Sequence, residues 1–361
     1  MSRPFLPVPS GVKLTVTLAL TLLVCAPVFA IDVDPKLDRA VRDLMPVCSG
    51  ATVKYAPLDL RLPARFNGAL VTVTSEDNLC DSSFAAVLGP SGSVFLGGPW
   101  PIANEEGKTV PEKLKNFTWR NLHENMTATV DTTRNSDGLF PVVLSQSTEN
   151  GKMPMDGFVD ADGTIFFFGR FRPASGDARA ARTKVFEPFI AHAPAKGATN
   201  PAVTVLEFSD FQCPSCQRAA GYMDPILAKH GDQVRYVRYD LPLTGHAWAF
   251  SAAMAGRAIY RQKPEMFWEF KKQVYANQSS LNAFVFSDWA RNFAQDHDLD
   301  IAKYDADVQN AEIKAEILGG AGTALTNDIR ATPSYIVNGS LVDPGEGGKA
   351  LAEYVEKLLA K

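Results

Sequence analysis

Cys213-Pro214-Ser215-Cys216 is the stretch whose residue types and spacing most directly specify a reaction. It stands at the end of an apolar run, residues 203–208, and helical patterning begins at Pro214. A cysteine between a buried strand and a helix meets unpaired N–H groups and the positive end of the helix dipole, which favour a thiolate. Thiols so placed ionise at roughly 3.5–7.5, against about 8.5 for a free cysteine. The two-residue gap lets the second sulfur reach back and close a bridge once the first has entered a mixed disulfide. Cys213 is therefore the expected nucleophile and Cys216 the resolving thiol. Pro214, at the first helical position, forfeits only an N–H that would have no helical partner. Two other readings exist. Half of a zinc site needs four close ligands, and no second Cys or His cluster stands nearby. An inert structural disulfide is the other, although so tight a pair is strained and a poor staple. The pair is read as redox-active, with neither a metal nor a cofactor expected.

The elements that must position this pair follow in a definite order. A strand over 203–208 leads to a helix over 214–229, and a second strand covers 233–239. Residues 247–328 are mainly helical, with Trp248, Ala252, Ala255 and Ile259 at three-to-four spacing. A strand over 333–342 and a helix over 347–359 close the chain. Strand–helix–strand, a helical insertion at about 245–328, then strand–helix describes an α/β domain with a helical sub-domain. The small, polar stretch 191–200 marks a boundary, giving domains at 31–195 and 196–361.

Val205-Leu206-Glu207-Phe208-Ser209-Asp210-Phe211-Gln212-Cys213-Pro214-Ser215-Cys216 resembles the active-site segment of the DsbA-like thioredoxin family. Tyr239 to Leu243 with His246, then Gly256, Phe267-Trp268, Asn277-Gln278 and Ala331 to Gly339, follow in the family's order. The resemblance runs from Val203 to the C-terminus. It implies a thioredoxin-like fold and a cis peptide bond before Pro333, with Thr332 offering main-chain groups to a substrate peptide beside Pro214 and Ser215. It also implies that Glu207, six residues before Cys213, moves the proton of the resolving cysteine. An acid in a buried strand would suit that role; the other reading is an edge position with the carboxylate in water. His246 reads as a hydrogen-bonding residue at a helix start, outside the catalytic set. Ser215 is neutral where the family's strongest oxidant carries His, so a milder oxidant is expected.

Upstream, residues 52–190 repeat at an interval of about 70. Gly68 to Val73 precedes the run Gly92 to Gly97, and Gly138 to Leu144 precedes the run Gly163 to Gly169. Helical stretches follow at 111–122 and 178–190. Each unit reads as a few antiparallel strands and a helix, so the first domain is expected to be α+β and built from two repeats. Cys48 and Cys80 lie in the first repeat alone and are expected to form a structural disulfide, with a second redox pair as the alternative. The layout resembles disulfide isomerases whose N-terminal domain dimerises, and a homodimer through residues 31–195 is one expectation.

The N-terminus carries Arg3 and Lys13, then the uncharged run 14–26. That run ends in Pro27-Val28-Phe29-Ala30, with small residues at the two positions a signal peptidase would read. It reads as a signal peptide cut after Ala30, with an uncleaved anchor helix or a lipid-bearing Cys25 as alternatives. Four cysteines then remain, an even set suited to an oxidising compartment. A net charge of −4 without like-charge blocks argues against nucleic acid. The expected partners are exported proteins with cysteines and a membrane redox protein that recharges the pair. The alternative is a peptide-binding or chaperone module whose disulfide does not turn over.

Overall fold

The computed structural model describes residues 31–47, 50–75, 81–174 and 178–360. The leader reading (1–30) and both Cys48 and Cys80 lie outside the described residues.

The first helix, α1 (Pro35–Leu44), is capped by Asp34, whose side chain accepts from Lys36 N. It is followed by β1 (Thr52–Pro57), β2 (Asn67–Thr74), β3 (Ser82–Leu88), β4 (Ser93–Gly97) and β5 (Pro99–Pro101), then α2 (Val110–Leu122). The same succession returns as β6 (Met126–Val130), β7 (Leu139–Thr148), β8 (Gly151–Asp160), β9 (Ile165–Phe168), β10 (Arg172–Pro173) and α3 (Ala178–Ile190). One sheet has the order β1-β2-β3-β4-β10 and the other β6-β7-β8-β9-β5. Each run of four strands is an antiparallel meander, and the short fifth strand of each crosses to edge the other's sheet. This reciprocal exchange is the topology that the 70-residue interval marks in the sequence.

An aromatic layer of Phe66, Phe95 and Phe167 fills the space between the two sheets, while α1 covers the outer face of the first. The other face of the second sheet does not meet water. Trp100, Leu144, Met153 and Phe166 share one core with Phe186 of α3 and with residues of the C-terminal domain, including Leu206, Phe208 and Ile336. Burial of large apolar side chains contributes roughly 1.5–3 kcal/mol each, so this shared core joins the two domains firmly.

The C-terminal sheet has the order β11-β13-β12-β14-β15. Its strands are β11 (Ala195–Gly197), β12 (Val203–Ser209), β13 (Val234–Asp240), β14 (Ser334–Val337) and β15 (Ser340–Val342). β12 and β13 are parallel, and β14 runs antiparallel to β12. The stretch 191–200 is thus no free linker: it carries β11, which pairs with β13. The helix expected over 214–229 is two, α4 (Pro214–Ala219) and α5 (Met223–His230). The break falls at Gly221, whose carbonyl Pro225 cannot serve for want of an N–H, and the Ala220 carbonyl accepts from Lys271 Nζ at 3.2 Å. The insertion comprises α6 (Ala249–Gln262), α7 (Met266–Ala276), α8 (Phe286–Asp296), α9 (Ile301–Asp307) and α10 (Ala311–Leu325). Finally, α11 (Lys349–Leu359) packs with α5 on the far face of the sheet. No helix of the described residues is long and apolar enough to cross a membrane.

Candidate active site

β12 is the central strand, and its end delivers Cys213 to the N-cap of α4. Both cysteines are free thiols in this structure. Cys213 is 7% exposed and Cys216 fully buried. The peptide bond between Thr332 and Pro333 is cis, as the resemblance implies. It brings the Thr332 carbonyl to 3.4 Å from Cys213 Sγ, where the thiol donates to it. The Asp210 N–H donates to Cys216 Sγ at 3.4 Å.

These surroundings separate the two sulfurs electrically. A hydrogen bond from the Cys216 thiol, helped by the N–H groups of Cys216 and Ser215, outweighs burial and brings Cys213 down to about 5. Burial, and next the neighbouring Cys213, push Cys216 well above the ordinary thiol range. One sulfur is a ready nucleophile and the other holds its proton, the asymmetry that exchange through a mixed disulfide requires.

Glu207 lies mid-strand on β12, opposite Arg238 of β13 and Tyr335 of β14, and is 1% exposed. The edge reading is therefore excluded. Its Oε2 accepts from the Tyr236 hydroxyl at 2.5 Å, and its Oε1 is buried without a partner. Lys271 Nζ, also buried, donates to that hydroxyl at 3.1 Å. Burial lowers the Lys271 ammonium from its ordinary range. Pro214 opens α4 and is exposed, and Ser215 Oγ accepts from Arg218 at 2.8 Å.

Several residues escaped the reading of the sequence. Gln278, between α7 and α8, donates to the carbonyls of Phe211 at 2.9 Å and Cys213 at 3.2 Å. The Tyr275 hydroxyl sits 3.1 Å from Ser209 Oγ and donates to the Asp210 carbonyl. Arg238 is wholly buried over the Phe211 ring, 3.9 Å from its centroid, and pairs with Asp240, which also takes Arg257 at 2.9 Å. Asp210 gathers three donors: Gln212 N at 2.7 Å, Leu243 N at 2.8 Å and His246 Nδ1 at 2.8 Å. The one available signal was that Asp210, Gln278 and His246 belong to the matched motifs. Among the described residues, no group of three His, Cys, Asp or Glu side chains is placed to hold a metal.

The family model described as thioredoxin matches residues 191–357. That match, just under half of the chain, marks a thioredoxin-like domain there. The α6–α10 helices lie between β13 and β14, the helical insertion that the sequence motifs imply. A Na(+)/H(+) antiporter NhaA 1 of Mycolicibacterium gilvum is 33% identical over 147 residues, 40% of this chain. The match spans only 23% of that protein's length. A probable disulfide bond formation protein D of Bacillus cereus is 27% identical over 154 residues, covering 41% of this chain and 71% of that protein. Among solved structures, oxidised BdbD from Bacillus subtilis aligns with 48% of this chain and 95% of its own, at 22% identity and a TM-score of 0.42. The thioredoxin domain is preceded here by the two-sheet domain.

Proposed function

We propose that this chain is a thiol–disulfide oxidoreductase acting through Cys213 on cysteine-bearing exported proteins. The observation that carries the reading is Cys213 at the N-cap of α4, 3.4 Å from the Thr332 carbonyl and with Cys216 fully buried behind it, surroundings that lower the Cys213 thiol and raise that of Cys216. In the reducing direction the Cys213 thiolate attacks a substrate disulfide. One substrate sulfur leaves as a thiolate, and the other stays bonded to Cys213. Cys216 then gives up its proton and attacks Cys213 Sγ, which expels the second substrate thiolate and leaves a Cys213–Cys216 disulfide. Two electrons pass to the substrate; the reverse sequence oxidises it. Glu207 is the acceptor we assign to the Cys216 proton, supported by its burial on β12 and its unpartnered Oε1. Thr332, Pro333, Pro214 and Ser215 form the surface on which a peptide would lie.

The neutral Ser215 between the cysteines supports a milder oxidant than a histidine there would give, and on this reading a membrane redox partner recharges the pair and residues 1–30 direct export. The test uses two single variants in cells, Cys213→Ala and Cys216→Ala. Cys216→Ala should accumulate mixed disulfides with exported proteins and Cys213→Ala none, while the wild type reduces insulin. An inert wild type that still binds unfolded peptides would replace this reading with a binding module.

A further inference from the structure

Ser215 leaves the Cys213 thiolate without the cation that a histidine between the cysteines would supply, and the structure offers one from another element. We propose that His246, held by Asp210, is the charge-tuning residue for Cys213, stabilising its thiolate while the imidazole is protonated. The inference rests on the thiol–disulfide reading above and names how that site is regulated.

Geometry carries it. Asp210 binds the active-site turn through all of its polar groups. Its carbonyl accepts from Cys213 N at 3.3 Å, its N–H donates to Cys216 Sγ, and its carboxylate holds His246 Nδ1 at 2.8 Å. The carboxylate is fully buried and already takes two backbone N–H groups, so it acts as an acceptor and fixes the ring in one orientation. The ring itself keeps 25% exposure, so bulk solvent can deliver and remove its proton. Asp210 from the β12–α4 turn and Cys213 from the start of α4 are the groups that act on the ring's charge, and both favour the imidazolium. The other nearby charges are engaged elsewhere: Asp240 of β13 takes Arg238 and Arg257 of α6, Lys271 of α7 holds Tyr236, and Arg218 reaches Ser215. The His246 ring is raised above its ordinary range, first by the Asp210 hydrogen bond and also by Cys213.

The electrical consequence follows from counting charge. With His246 protonated the Asp210–His246 pair, which is bonded to the active-site turn, is neutral. Deprotonation leaves the carboxylate alone with the thiolate. Reduction by glutathione converts the Cys213–Cys216 disulfide and two glutathione thiols into a Cys213 thiolate, a Cys216 thiol, glutathione disulfide and one proton. A protonated His246 favours the products, so compared at the same pH with a chain carrying a neutral residue at 246 the protein is the stronger oxidant below the ring's pKa, and the difference vanishes above it.

Linkage makes the test direct, because coupling between the ring and the thiolate is reciprocal. The His246 ring is titrated by NMR in the dithiol and disulfide forms of the full chain. We expect a pKa higher in the dithiol form by about half a unit or more, because only that form carries the thiolate. His246→Gln should shift the glutathione equilibrium at pH 6 toward the disulfide by about fivefold and leave it unchanged near pH 9. His246→Arg should match the wild type at pH 6 and lie about fivefold further toward the dithiol than the wild type near pH 9. Equal ring titrations in the two forms would overturn the proposal, since a residue that only shapes the loop would give that result. A protein that exchanges no disulfide with glutathione would instead sink the oxidoreductase reading.

Discussion

At the scale of the residue, the ionisation of Cys213 makes two quantities depend on pH. Its folded value of about 5 is depressed from an unfolded value of about 8.5. Alkylation of Cys213 by iodoacetamide should therefore be nearly constant above about pH 6 and fall as pH drops through 5. A depressed acid adds stability that is complete above the unfolded value and lost as pH falls to the folded one. Cys216, raised in the fold, is a neutral thiol in both states below about 8.5 and does not contribute in that window. The urea midpoint of the dithiol form should thus rise from pH 5 to pH 8 relative to a Cys213→Ser protein; parallel curves would refute the thiolate assignment. Glu207→Gln should slow the resolution of a trapped mixed disulfide on the order of 100-fold, with its pH profile altered, while Cys213 alkylation stays unchanged. The places of the two sulfurs, Glu207 and Thr332-Pro333 in the fold were legible because type, local spacing and motif mark them. Tyr236, Lys271 and Tyr275 were not. Each acts through a partner dozens of residues away, and no periodicity records a side-chain contact made across the fold.

At the scale of the element, the strands and most helices were legible from apolar periodicity, while their interruptions were not. The helix break at residues 220–222 has local signals in Gly221 and Pro225, whereas the Lys271 bond to the Ala220 carbonyl comes from outside the segment. The exit of β13 shows a second such dependence. Asp240 neutralises two buried guanidinium groups, Arg238 from its own strand and Arg257 from α6. Removing one partner of a buried set leaves uncompensated charge, which costs about 3–5 kcal/mol. Asp240→Ala should lower the stability by that amount in urea titration and loosen the Phe211 ring on which Arg238 lies. A loss under about 1 kcal/mol would show that water reaches those guanidinium groups, contrary to their burial.

At the scale of the whole molecule, the reading of 191–200 as a boundary rested on small residues, and small residues are also what a tight junction uses. Ala193 is buried, the His192 carbonyl accepts from Arg257, and Ala195 to Gly197 pair with β13. Close approach recurs along α10, where a Cβ on Gly322 would stand 1.8 Å from the Pro154 carbonyl of β8. Arg172 of the exchanged strand β10 donates to Asn327 at 2.6 Å, just before the Thr332-Pro333 turn. Across this junction Phe186 of α3 packs edge-on against Phe208 of β12, with ring centroids 5.0 Å apart. A chain starting at residue 196 would lack Phe186 and the whole second sheet. Loss of a buried Phe alone costs about 3–5 kcal/mol, comparable with the total stability of many domains. The full chain should therefore melt in one calorimetric transition, and the 196–361 fragment should show no cooperative transition of its own. Two separate transitions, or a fragment that melts cooperatively, would show that the shared core does not couple the domains.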